Sequence, residues 1–204
     1  MEIPGIVLAG GKSKRMKKDK ATLLWDGKPW IECVINALVK AGCNPIIVSI
    51  NSQDDIKRLK KYLNYNNVTW IIDDCEIEGM KGGLISSLRY ASEMGWTVVQ
   101  LAPCDTPRVT PELFNMFTEI WSEKFDIVVP NLKTDVNSEG FEPLLARVRV
   151  EKYLSELTNP EYENSRILDS YSKLNVYLVT ENDFEHFNID CVCVSNYNTP
   201  EEIT

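Results

Sequence analysis

The sequence predicts a three-layer α/β fold with a mostly parallel central sheet, and three observations carry that prediction. Apolar, β-branched runs alternate along the chain with segments of helical period. The runs Ile6-Val7-Leu8-Ala9 and Val98-Val99-Gln100-Leu101-Ala102 are almost unbroken in apolar character, as strands covered on both faces are. At 204 residues, 44% hydrophobic and 25% charged, the chain has the size and composition of a soluble domain with a full core, expected to span residues 1–204.

Strands are expected at Gly5–Ala9, Pro45–Ile50, Val68–Ile72, Thr97–Ala102 and Asp126–Val129. Segments of helical period lie between them at Pro29–Ala41, Gln53–Leu63, Gly82–Met94 and Pro111–Trp121. Strand and helix thus take turns, the pattern of a parallel sheet with helices on both sides. Past Asn131 the pattern loosens. Lys133–Gly140 is polar and ends in glycine, so it reads as a loop, and Glu142–Arg147 resumes as an extended apolar run, expected to be another strand. Glu151–Leu157 and Ser165–Tyr171 read as helices and Leu174–Val179 as a strand. Thr199-Pro200-Glu201-Glu202 has the form of a helix start, with Thr199 as N-cap and Glu202 closing a capping box.

Composition excludes several classes of function. No apolar stretch approaches the roughly 20 residues of a membrane helix. The first strand comes too early and is too short for a secretory leader, so a cytoplasmic, membrane-free protein is expected. Cys33, Cys43, Cys75 and Cys104 are scattered. Cys191 and Cys193, two apart on what looks like a strand, would share a face, but no second pair accompanies them at ligand spacing, which favours structural cysteines. His186 is the only histidine, which leaves no Ser-His-Asp triad or two-His metal site and makes it a surface or packing residue. A net charge of −8 argues against a general nucleic-acid surface. Positive charge is instead concentrated in Lys12, Lys14, Arg15, Lys17, Lys18 and Lys20, which suits a local polyanion site.

Two segments carry chemistry. Leu8-Ala9-Gly10-Gly11-Lys12-Ser13-Lys14-Arg15-Met16, followed by Asp19-Lys20, leaves the end of the first strand, where open α/β sheets bind ligands. Gly10 and Gly11 let backbone N–H groups approach a phosphate with no Cβ in the way. The loop is not a Walker A motif, whose first glycine would fall on Ile6, and not a dinucleotide fingerprint, whose third glycine would fall on Lys14. A plain strand-to-helix turn with a solvated basic run is the alternative. In Leu101-Ala102-Pro103-Cys104-Asp105-Thr106-Pro107, an aspartate sits between two prolines at the end of another strand. Held in a nearly fixed direction, Asp105 suits Mg²⁺, which takes one or two protein carboxylates and fills its octahedron with water and phosphate oxygens. It could equally be a turn residue or a helix N-cap.

Taken in order with Pro143-Leu144 and Asn196-Tyr197-Asn198-Thr199-Pro200-Glu201, these segments resemble the MobA-like nucleotidyltransferases, and within them the molybdenum cofactor guanylyltransferases. The resemblance spans nearly the whole chain and implies the three-layer, Rossmann-like nucleotidyltransferase fold. It implies Arg15, Lys20 and Asp105 as catalytic residues, with Asp105 as the metal ligand. Leu8, Ala9, Gly10, Gly11, Lys20, Asp74 and Asp105 would bind the nucleotide, with Lys20 on the phosphates, and Asn196 and Asn198 would bind the acceptor, although local chemistry alone equally allows both as turn and cap residues. Asp73, next to Asp74, is an alternative nucleotide contact. Some positions depart from the family pattern. Lys17 replaces a glycine, Gly82-Gly83-Leu84-Ile85-Ser86 differs twice from Gly-Pro-Leu-x-Gly, and Ser49 stands where an asparagine binds nucleotide, with Asn51 as a substitute on the same strand face. Trp25 and Trp30 are either an aromatic wall for a ligand or, in the favoured reading, core packing.

The reaction implied is Mg²⁺-dependent transfer of GMP from GTP to the molybdopterin cofactor with release of pyrophosphate, with transient contact to other cofactor-biosynthesis proteins and none to nucleic acid or membrane. Its rivals are a CTP-using or sugar-phosphate transferase of the same fold and a non-catalytic GTP sensor.

Overall fold

The computed structural model describes residues 2–10, 20–63, 68–73, 77, 79–132, 140–162 and 165–197. Nine strands are present among them: β1 (Ile3–Leu8), β2 (Leu24–Trp25), β3 (Lys28–Pro29), β4 (Cys43–Ile50), β5 (Val68–Ile72), β6 (Val98–Pro103), β7 (Ile127–Pro130), β8 (Arg147–Arg149) and β9 (Val176–Val179). The helices are α1 (Trp30–Lys40), α2 (Gln53–Leu59), α3 (Met80–Glu93), α4 (Pro111–Ile120), α5 (Val150–Leu157) and α6 (Glu181–His186).

Seven strands form one sheet in the order β5-β4-β1-β6-β8-β7-β9. β1 pairs in parallel with β4 on one side and β6 on the other, β4 pairs in parallel with β5, and β7 in parallel with β9. Only β8 runs against its neighbours, β6 and β7. The sheet is therefore mostly parallel, as the apolar runs predict. Side chains alternate across it, and each face has its own core. Val7, Val48, Ala102, Val128 and Val179 pack under α1, α2, α4 and α6, whereas Ile6, Ile47, Leu101, Ile127 and Val148 pack under α3 and α5. Both faces are covered, which gives three layers.

The helices form where local chemistry allows. α1 buries Trp30, Ile31, Val34, Ile35 and Leu38, the spacing of a single helical stripe. Ser52 caps α2 by accepting from the Asp55 N–H (3.3 Å). Thr110 caps α4 by accepting from the Leu113 N–H (3.4 Å), and Pro111 takes the first helical position. Among the described residues no helix is long and apolar enough to cross a membrane.

Past Asn131 the sequence expectations need correction. Glu142–Arg147 is not a strand throughout: residues 143–145 turn, with the Leu145 N–H bonded to the Glu142 carbonyl (2.9 Å), and pairing begins at Ala146, which exchanges backbone hydrogen bonds with Leu101 (2.8 and 3.3 Å) just ahead of β8. Apolar Leu144 and Leu145 are buried there by a turn that dips into the core. The segment expected to be a helix at Ser165–Tyr171 is a 3₁₀ helix over Ile167–Lys173. Cys191 and Cys193 also lie in a 3₁₀ helix, Cys191–Val194, so they do not share a strand face. Cys193 is buried in the core. The helix start at Thr199–Glu202 lies outside the described residues.

Candidate functional site

β1 lies between β4 and β6, and the chain leaves it first toward β4 and β5 and later toward β6. The connections after β1 and β6 thus part in opposite directions, and a crevice opens at the carboxyl ends of the strands, where doubly wound sheets take their ligands. Leu8, Ala9 and Gly10 end β1, Ser49 and Asn51 end β4, Asp73 follows β5, and Asp105 follows β6.

Across this crevice the Lys20 ammonium meets the Asp105 carboxylate, Nζ to Oδ2, at 2.8 Å. The side chains are 17% and 23% exposed, so the pair is sheltered yet open to a ligand from one side. Lys20 opens a short 3₁₀ turn that leads into the β2–β3 hairpin. Asp26 (φ 48°) and Gly27 (φ 75°) turn that hairpin, the left-handed pair a two-residue hairpin asks for. The turn holding Asp105 is fixed from within: buried Thr106 donates its hydroxyl to the Pro103 carbonyl (3.0 Å), and the Cys104 N–H bonds back to Leu8 (3.1 Å). Asp105 is a turn residue and not a helix cap, because Thr110 caps α4.

On the β5 side of the crevice, Asp73 is 9% exposed and accepts a hydrogen bond from the wholly buried Ser49 hydroxyl. Burial raises its pKa above the ordinary carboxylate range; the Ser49 hydrogen bond opposes the rise and the charge of Asp55 adds to it. Gly10 and Gly83 flank this carboxylate so closely that a Cβ on Gly83 would stand 2.8 Å from Asp73 Oδ2, and one on Gly10 would overlap it outright. This explains why two glycines from distant segments are needed here. Asn51 is exposed, with its Oδ1 beside Gly10, so it faces the crevice while Ser49 supports Asp73 from below. The Ala9 N–H is bonded to the Ser49 carbonyl (2.9 Å), which leaves other Ala9 atoms for any ligand contact.

On the β8 side, the Asn196 side-chain amide donates from Nδ2 to Glu142 Oε2, and the Tyr197 N–H donates to the Asp105 carbonyl (3.2 Å). Burial pushes the Glu142 carboxyl up to about 7; the hydrogen bond from Asn196 opposes that and the nearby Asp105 charge adds to it. Sequence reasoning missed Glu142, which stands at the head of an apolar run. Its one signal is an acidic residue directly before Pro143-Leu144. Tyr197 packs against Trp30 and Trp25, with ring centroids 5.9 and 5.2 Å away. Trp30 is fully buried, in line with core packing, and His186 is exposed at the end of α6.

The structure therefore brings Leu8, Ala9, Gly10, Lys20, Asp105 and Asn196 to one edge of the sheet. Arg15, Gly11, Asp74 and Asn198 lie outside the described residues. No group of three or more His, Cys, Asp or Glu side chains suited to a metal occurs among the described residues. A Mg²⁺ ion needs only one or two protein carboxylates when phosphate oxygens complete its shell, and the partly exposed Asp105 fits that demand.

The chain shares its fold with the molybdopterin-guanine dinucleotide biosynthesis protein A of Archaeoglobus fulgidus, at a TM-score of 0.76 and 23% identity over 98% of this chain and 95% of that one. It is 31% identical over 202 residues to a Bacillus anthracis protein named "Probable molybdenum cofactor guanylyltransferase", covering 97% of this chain and 92% of that protein. A Natranaerobius thermophilus protein of the same name is 28% identical over 98% of this chain and 93% of its own length. The family model of the MobA-like NTP transferase domain matches residues 5–175, and the chain belongs to that family.

Proposed function

We propose that the chain is a molybdenum cofactor guanylyltransferase, which transfers GMP from GTP to the molybdopterin cofactor and releases pyrophosphate. The observation that carries this reading is the Lys20–Asp105 pair, set across the switch point of a sheet whose relatives bear that name. An in-line attack of the acceptor's terminal phosphate on the α-phosphorus needs positioning and charge neutralisation more than covalent help. Asp105 would hold Mg²⁺, which when bound neutralises charge on the triphosphate oxygens. Lys20 then exchanges the Asp105 carboxylate for the departing pyrophosphate oxygens. Leu8, Ala9 and Gly10 would receive the nucleotide at the end of β1, and Gly11 and the positive charge of Arg15, both outside the described residues, would add to its binding. Asp74 or its neighbour Asp73 would contact the nucleotide, and Asn196 and Asn198 would contact the acceptor. A phosphate nucleophile is already ionised at neutral pH, so no general base is required. The expected setting is the cytoplasm, beside other proteins of cofactor biosynthesis.

The test is pyrophosphate release with molybdopterin as acceptor and GTP, CTP or ATP as donor, each with Mg²⁺. GTP is expected to support turnover best. Faster turnover with CTP would replace the guanine assignment, and GTP binding without pyrophosphate release would point to a sensor.

A further inference from the structure

We infer that Glu142 is a positioning residue for the acceptor: it fixes the Asn196 amide so that Oδ1 is left to accept a hydrogen bond from an N–H group of the acceptor's heterocycle. This rests on the proposed function, in which Asn196 contacts the acceptor.

The argument starts from the inventory of donors and acceptors. A carboxyl oxygen that carries no proton only accepts, so an amide facing such an oxygen presents its NH₂ group. Asn196 does so, with Nδ2 donating to Glu142 Oε2. The orientation of the amide is then decided, and Oδ1 points elsewhere. That oxygen is buried and has no hydrogen-bond partner among the described residues, the condition that a donor from a ligand relieves. An ionised phosphate carries no hydrogen to give, so Oδ1 does not select the phosphate end of the acceptor. A pterin-type heterocycle carries ring N–H and exocyclic amine groups that can.

Glu142 is built to hold this position. Its N–H bonds to the Pro130 carbonyl (3.4 Å) at the end of β7, and its carbonyl accepts from Leu145 (2.9 Å). The next residue, Pro143, has its carbonyl bonded by the Tyr171 hydroxyl (3.3 Å), which ties the turn to the 3₁₀ helix behind it. From the other direction, the Tyr197 N–H fastens the Asn196 segment to the Asp105 carbonyl. Asn196 is thus strung between the Asp105 turn and the Glu142 turn.

The experiment measures pyrophosphate release at varied molybdopterin, with calorimetric titration of GTP and Mg²⁺ and a thermal melt, for wild type, Glu142→Ala, Glu142→Gln and Asn196→Asp. Glu142→Ala is expected to raise the acceptor KM about 10-fold or more, as loss of an oriented polar contact does, while GTP affinity stays unchanged. Glu142→Gln keeps an oxygen that can accept the same bond and should restore the KM. Asn196→Asp sets carboxylate against carboxylate and should match Glu142→Ala. An unchanged acceptor KM in Glu142→Ala, or an equal loss of GTP affinity, overturns the inference. If Glu142→Ala does not fold, the contrast between Glu142→Gln and Asn196→Asp decides, and no difference between them is the contrary result. A wild-type protein that binds GTP but releases no pyrophosphate with molybdopterin removes the proposed function and this inference together. Normal wild-type turnover with an unaffected Glu142→Ala removes the inference alone.

Discussion

The two sides of the crevice are built differently. On the β5-β4-β1 side, parallel strands end in register, and the chemistry sits one or two residues past each strand: Gly10, Asn51 and Asp73. On the β8-β7-β9 side, Glu142 comes from a turn before the antiparallel strand, and Asn196 comes from a segment that reaches back from beyond α6. Both sides hold a carboxylate whose pKa burial raises. Asp73 is propped by a buried hydroxyl and boxed in by two glycines, whereas Glu142 is held by an amide and feels the charge of Asp105. The first arrangement is rigid because packing leaves no alternative. The second depends on polar contacts between segments far apart in the chain, so conservative substitutions should disturb its ligand contacts more than its stability.

Where the two sides meet, at Lys20 and Asp105, substitution should have the largest effect. Lys20→Ala is expected to lower kcat/KM by roughly 10²–10³, the loss typical of one preorganised stabilising donor, while Mg²⁺ dependence survives. Asp105→Asn should abolish turnover and the Mg²⁺-dependent part of nucleotide binding with little change in melting temperature, since a polar isostere in a partly exposed turn opens no cavity. Pyrophosphate release against Mg²⁺ concentration checks both, and normal Mg²⁺-dependent turnover in Asp105→Asn would remove its metal role.

The next effect belongs to Glu142 and separates the two carboxylates by pH. Its pKa goes from the ordinary 4.5 to about 7 on folding. Between those values the folded chain keeps a proton that the unfolded chain has released, so its contribution to stability falls as pH rises through the window. The full cost, on the order of 3 kcal/mol, is present above the folded value. Urea unfolding at several pH values should show a shallower decline from pH 4.5 to 7 in Glu142→Gln than in wild type. Parallel curves would show that Glu142 titrates normally.

Smaller still is the effect of Gly83→Ala on the rigid side. Helix propensity favours alanine by about 0.8–1 kcal/mol, but the new Cβ would meet the pinned Asp73 carboxylate at 2.8 Å. Overpacking of this kind costs about 1–3 kcal/mol. The expected net is a loss of about 1 kcal/mol, or a drop of about 2–4 °C in Tm for a chain of this size. A rise in Tm would mean that Asp73 has room to move.

These differences also decide what could be read from the sequence. The parallel side was legible because buried strands write continuous apolar runs, so β1, β4, β5 and β6 fell where expected within a residue or two. The other side was not, since β8 has three residues, α6 six with one buried apolar side chain, and two segments adopt 3₁₀ turns with no helical or strand period. Leu144, Leu145 and Ala146 are buried like a strand but lie in and just after a turn, which hid the role of Glu142. The Asp26-Gly27 hairpin carried a clear signal that the apolar pattern around it masked. Asp105 was singled out by its place between two prolines and Lys20 by the family resemblance, and the structure places them in contact, although their separation in the chain could not have revealed that.

The proposed division of the crevice into a nucleotide side and an acceptor side is tested most directly by crossed kinetics on Asp73→Asn and Glu142→Ala. Pyrophosphate release would be followed with GTP varied at saturating molybdopterin, then with molybdopterin varied at saturating GTP. The division predicts that Asp73→Asn raises the KM for GTP and leaves that for molybdopterin near wild type, and that Glu142→Ala does the reverse. Equal increases in both KM values for either variant would contradict it.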